Sequence, residues 1–138
     1  MTEDTLIKAA IAAMPNAYAP YSQFLVGAAI CDENGNIHTG VNVENAAYPQ
    51  GSCAEAGAIA AMIMAGGTRI HQIAIAGRGG NLCTPCGGCR QRMREFANPD
   101  TPILIADENG LRQRFTLDEL LPHSFGPNHL DKPDHLDK

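Results

Sequence analysis

The sequence predicts an α/β fold, with five strands in a mixed or parallel sheet covered by helices. Three observations carry this. Helical and extended patterns alternate in the order α-β-β-α-β-α-β-β-α, and such alternation implies a sheet with helices packed on it. Two Asn-Gly pairs, Asn34-Gly35 and Asn109-Gly110, mark hairpins between neighbouring extended runs. Hydrophobic residues make up 44% of the 138, with no linker and no repeat of solenoid length, so the chain can bury one real core.

The elements follow in order. Leu6, Ile7, Ala10 and Met14 form one stripe over residues 3–14 and predict an amphipathic helix. NAYAPYSQ, 16–23, reads as a loop. FLVGAAIC, 24–31, and NIHTGVNV, 36–43, read as a strand and its returning partner across DENGN. After the loop ENAAYPQG comes SCAEAGAIAAMIMAGG, apolar on every face, which predicts a helix buried all round, with Ser52 as its N-cap. IHQIAIAG, 70–77, reads as a third strand. TPCGGCRQRMREFAN reads as a second central helix, with Thr84 as N-cap and Pro85 at its first position. PILIADENG and LRQRFTL supply two more strands, and Thr116 to Glu119 has the pattern of a capping box opening a short helix. Residues 1–130 are expected to form a single domain. Residues 131–138 read as a polar tail that frays.

Charge and composition exclude several functions. The net charge is −5, no basic run is present and aromatic residues are 5%, so a surface for nucleic acid is not expected. AGAIAAMIMAGG, 56–67, is too short to span a bilayer. The acidic start MTEDTLIKAAIAAM does not read as a signal peptide, and a cytoplasmic protein is expected. In that compartment five cysteines are ligands, catalysts or core fillers rather than disulfides.

Three of the five fall in CTPCGGCRQ, 83–91. Cys86 and Cys89 lie three apart, on one helical face. Cys53 sits at the start of the preceding helix. Helix starts favour thiolates, and two of them converging would bring Cys53, Cys86 and Cys89 together. Three protein ligands with a fourth position open is the pattern of a catalytic zinc. Other readings compete: a redox Cys-x-x-Cys pair, a partial iron–sulfur run, or a closed structural zinc site with Cys83 as fourth ligand. Cys31 and Cys83 otherwise read as small core residues, and the five histidines lack ligand spacing. Glu55 could merely complete a capping box with Ser52. Two residues from Cys53, it could also serve a metal-bound water.

Zinc deaminases carry H-x-E followed by P-C-x-x-C, with cysteine able to replace the histidine. This chain has Cys53-Ala54-Glu55 and Pro85-Cys86-Gly87-Gly88-Cys89. Over most of its length it resembles the cytidine deaminases of the short, three-cysteine, homotetrameric kind. The likeness runs through YSQFLVGAA, GVNVENAAY, SCAEAGAI, TPCGGCRQ and ELLPHSFGP, in the family's order.

The resemblance implies a three-layer α-β-α fold and one Zn²⁺ per chain on Cys53, Cys86 and Cys89. It implies deamination of cytidine and 2'-deoxycytidine to uridine and 2'-deoxyuridine with release of ammonia, in pyrimidine salvage. Hydroxide would attack C4 while Glu55 shuttles the proton. Asn42 and Glu44 match positions that hold the ribose, Phe24 matches a wall of the pyrimidine pocket, and the Ala54 backbone matches a base contact. Ala46, Tyr48 and Phe125 match positions that enter a neighbouring subunit's site, so a homotetramer with shared sites is expected. One departure stands out: the family usually places arginine directly after the catalytic glutamate, against the ligand thiolates, where this chain has Ala56. Arg90 and Arg78 are the candidates to replace its charge. Two other readings remain open, a deaminase of modified cytosine nucleosides or nucleoside-like antibiotics, and a non-enzymatic zinc-stabilised binding module.

Overall fold

Thr2 starts the first helix. Its side-chain oxygen accepts the Thr5 N–H at 3.2 Å, and Glu3 and Asp4 sit in the first turn where the helix end favours negative charge. The computed structural model describes residues 2–79 and 81–130, so the tail at 131–138 lies outside the described residues. Helix α1 spans Glu3–Ala13, and the expected stripe of Leu6, Ile7, Ala10 and Met14 is buried.

Five strands follow: β1 (Val26–Asp32), β2 (Ile37–Val41), β3 (Ile70–Gly77), β4 (Pro102–Asp107) and β5 (Gly110–Thr116). They pair in the order β2-β1-β3-β4-β5. Only β3 and β4 run parallel; the other three pairings are antiparallel. The sheet is therefore mixed, with the antiparallel hairpins where the Asn-Gly pairs predict them. Gly35 and Gly110 take left-handed φ of 83° and 130° in those turns, which side chains other than glycine adopt at a cost.

The period of two along each strand sorts the core into two layers. Val26, Ala28 and Ile30 of β1, Ile73 and Ile75 of β3 and Ile103 and Ile105 of β4 face α2 (Ala54–Met64) and α3 (Gly87–Arg94). Ala29, Cys31, Ala74, Ala76, Leu104 and Ala106 face α1 on the other side. This is the expected α-β-α sandwich. Helix α4, Leu117–Leu120, opens on the predicted capping box between Thr116 and Glu119.

Three expectations are corrected. The helix α2 is not buried all round: Ala54, Ala58, Ile59 and Met62 are buried, whereas Ile63 and Met64 are 44% and 89% exposed. One flank of α2 packs on the sheet, and among the described residues no layer covers the flank that carries Ile63 and Met64. Ser52 is not its N-cap. Ser52 and Val43 exchange backbone hydrogen bonds at 2.9 and 3.0 Å, which holds Ser52 in a bridge and moves the cap to Cys53. Thr84 and Pro85 likewise stay outside α3. Arg90 Nε donates to the Pro85 carbonyl at 2.7 Å, and the first helical bond runs from Arg90 N–H to the Cys86 carbonyl at 3.0 Å.

Gly40 sets how closely α2 approaches the sheet. A Cβ there would lie 2.2 Å from Ala58 N and 2.5 Å from the Ala54 carbonyl oxygen, both backbone atoms. Glycine lets the first turn of α2 rest flush on β2, and that turn carries Cys53 and Glu55.

Candidate metal centre and active site

Cys53 and Cys86 are themselves the N-cap residues of α2 and α3, and Cys89 lies one turn into α3. The three sulfurs all lie within 4.8 Å of one another, and Cys53 Sγ and Cys86 Sγ are 3.9 Å apart. A disulfide needs about 2.0 Å, and all five cysteines are free thiols. A tetrahedral ion with zinc–sulfur bonds of about 2.3 Å places its sulfurs about 3.8 Å apart. The spacing and the donor set thus fit zinc. Cys83 is not in the cluster, and no histidine among the described residues joins it. A closed four-cysteine site is not what the residues build.

The electrostatics of the cluster are uneven. Burial raises the Cys53 and Cys89 thiols above their ordinary values. The backbone N–H of Cys89 holds the Cys86 thiol below its own, as expected at a helix start. Burial pushes Cys83 up to about 11, so it is a neutral thiol.

Glu55 is 4% exposed, in the first turn of α2. The helix begins after Cys53, so the Ser52 capping box does not form and Glu55 is free of that duty. Burial raises its carboxyl above the ordinary value; its own backbone N–H, the Cys89 thiol and the charge of Arg92 oppose this.

A cavity of about 660 Å³ opens over this cluster. That volume suits a small-molecule ligand. Its wall includes Phe24, Asn42, Glu44, Tyr48, Ala54 and Glu55, together with Cys53 and Cys86. Ala46 and Phe125 are not brought to it. Phe125 is 57% exposed, stacks on His129 at 4.7 Å and has its carbonyl held by Gln91.

Asn42 and Glu44 also organise the loop above the cavity. The Asn42 side chain accepts the Val26 N–H and donates to the Phe24 carbonyl, each at 2.8 Å, which ties down the chain where β1 begins and holds the Phe24 backbone at the cavity wall. Glu44 accepts the N–H groups of Tyr21 and Ser22 at 2.9 and 3.1 Å and the Ser22 hydroxyl. The Ser22 hydroxyl, with those N–H groups, keeps its carboxyl below the usual range. Sequence reading singled out neither Tyr21 nor Ser22; loop residues 23 and 22 positions from Glu44 carry no periodic signal.

The charge beside the sulfurs comes from an unexpected residue. Arg90 is spent on the Pro85 and Leu120 carbonyls at 2.7 and 2.8 Å, and Arg78 pairs with Glu108 at 3.1 Å. It is Arg92 whose Nη1 reaches Cys89 Sγ, at 3.8 Å.

Comparison with known proteins agrees with this geometry. The sequence model for the cytidine and deoxycytidylate deaminase zinc-binding region matches residues 1–105. Cytidine deaminase of Halalkalibacterium halodurans is 39% identical over 125 residues, covering 91% of this chain and 95% of that protein. The enzyme of Sporosarcina psychrophila is 35% identical over 130 residues, covering 94% and 96%. The crystal structure of cytidine deaminase from Burkholderia pseudomallei superposes with a TM-score of 0.85 at 39% identity, covering 91% of this chain and all of the other. A cluster of three cysteines with zinc spacing, a buried glutamate in the turn beside it and a match through both motifs lead to one conclusion: the chain belongs to the cytidine deaminase family.

Proposed function

We propose that this protein deaminates cytidine and 2'-deoxycytidine hydrolytically, with zinc, leaving uridine or 2'-deoxyuridine and ammonia. The observation that carries this is the placement of buried Glu55 beside a three-sulfur zinc-type cluster, on the wall of a nucleoside-sized cavity. Cys53, Cys86 and Cys89 would hold one Zn²⁺ per chain. Bound there, zinc supplies a Lewis acid that makes water a competent nucleophile near neutral pH.

The protein's residues do the rest. Glu55 takes the proton from water and delivers it to the ring nitrogen of cytosine, then helps protonate the departing amine at C4. Phe24 lines the pyrimidine pocket, and the Ala54 backbone contacts the edge of the base. Asn42 and Glu44 face the ribose while holding the loop that carries Phe24. Tyr48 is 78% exposed at the cavity mouth, and Ala46 and Phe125 are surface residues. These three fit contributions to a neighbouring subunit's site in a homotetramer, and the uncovered flank of α2 with Ile63 and Met64 fits such packing. Residues 1–130 then act as one deaminase domain. No helix among the described residues is long and apolar enough to cross a membrane, which accords with a cytoplasmic enzyme.

The test compares wild type with Glu55→Gln for zinc content and for the ultraviolet change as cytidine becomes uridine. The expected result is one zinc per chain in both, with turnover about 10²–10⁴-fold lower in the variant. Equal turnover would remove Glu55 from the mechanism. Zinc-loaded wild type inert on both nucleosides would reject the substrate.

A further inference from the structure

Three thiolates around one Zn²⁺ leave an excess negative charge of one, in a site walled by two helices. Arg92 supplies a nearby positive charge. Its position is not explained by the helix that carries it. Arg92 stands three residues after Cys89, and long helical side chains lean back toward the helix N-terminus. The guanidinium therefore approaches the positive end of α3, where a cation is disfavoured. The sulfur of Cys89, fully buried, is what it meets there, at 3.8 Å from Nη1.

The surroundings leave room for this contact. Gly88 is one turn before Arg92, and a Cβ at Gly88 would lie 3.3 Å from Nη1, tighter than ordinary packing. Ala56 and Arg92 line one cavity of about 650 Å³ between α2 and α3, together with Gly88, Gln91 and Glu95. The methyl of Ala56 leaves that space open. The other two arginines of α3 are committed elsewhere: Arg90 to the Pro85 and Leu120 carbonyls, and Arg94 to Ser124 and Asn128.

We propose that Arg92 is the charge-compensating partner of the zinc thiolates, acting through Cys89 as a positioning residue. This rests on the zinc reading of the three cysteines. It also assigns the roles in the cavity: Ala56 and Gly88 provide space, and Arg92 provides the donor from α3. The same space can admit an arginine from α2 in its place. Charge and hydrogen bonding at Cys89, rather than packing, are what Arg92 contributes.

The test replaces zinc with cobalt(II) in the full chain and records the sulfur-to-metal charge-transfer band. A hydrogen bond stabilises the sulfur lone pair, so its loss moves the band to longer wavelength. Arg92→Gln is expected to shift the band that way, and Arg92→Lys or the double variant Ala56→Arg/Arg92→Gln is expected to move it back. A band unmoved in Arg92→Gln overturns the proposal, as does a shift that neither of the other variants reverses. Absence of a charge-transfer band in the cobalt-treated wild type would overturn the thiolate site itself, and this proposal with it.

Discussion

Cys53 Sγ and Cys86 Sγ lie 3.9 Å apart although 33 residues separate them, because each caps the start of a helix on the same face of the sheet. Cys86→Ser removes one of three ligands and the one thiol that a backbone N–H already favours as an anion. Zinc content is expected to fall from one per chain toward zero, with loss of cytidine turnover. A metal that binds only the folded protein also stabilises it, so the melting temperature falls too. Metal analysis and thermal unfolding check both.

Asn42 joins the strand ends to the cavity. Asn42→Ala leaves the Val26 N–H and the Phe24 carbonyl without their side-chain partner. The expected cost is about 1–3 kcal/mol in stability. A raised KM for cytidine is expected as well, because Phe24 loses its anchor. Denaturant unfolding and steady-state kinetics separate the two effects.

Gly40→Ala forces a methyl against the backbone of α2, which cannot yield as a flexible side chain would. Overpacking of this kind costs about 1–3 kcal/mol. The helix start that carries Cys53 and Glu55 must shift, so kcat/KM falls along with the denaturant midpoint. A variant with wild-type stability and kinetics would show that α2 can ride higher on β2.

Asp32 ties acid stability to the β1–β2 hairpin. It is buried; burial alone raises its pKa, but His38 Nε2 at 2.7 Å and the N–H groups of Asn36 and Asn34 outweigh that and lower it below 3.8. A depressed folded-state pKa contributes stability that is present above the unfolded value and lost as pH falls through the folded one. Urea midpoints measured below pH 3.8 should therefore fall less steeply in Asp32→Asn than in wild type, the Asn variant being weaker at neutral pH.

Elements with a local cause were legible in the chain. The stripe of α1, the Asn-Gly hairpins, the strand Ile70–Gly77 and the Thr116–Glu119 cap need only neighbours within a few residues, and each stands where periodicity or capping places it. The cysteine spacing and the glutamate two residues after Cys53 were likewise enough to point to a zinc-type cluster, and the structure brings those sulfurs together.

Helix starts were misplaced by one or two residues. Ser52 is claimed by Val43 across a loop, and Thr84 and Pro85 by Arg90, and such competition is invisible to a local capping pattern. The exposed flank of α2 was misread for a related reason: apolar composition reports what a face can bury, not what this chain alone lays over it.

By itself, then, the sequence determined the element order, the two Asn-Gly hairpins and the identities of the three sulfurs that fit a zinc ion, since period and spacing are short-range properties. Only the tertiary structure decided that Asn42 and Glu44 hold the loop bearing Phe24 and that Arg92 faces Cys89 in place of Arg90 or Arg78. These depend on which of several equivalent donors lies within about 3–4 Å of an acceptor once the layers close, a distance set by packing and not by order along the chain.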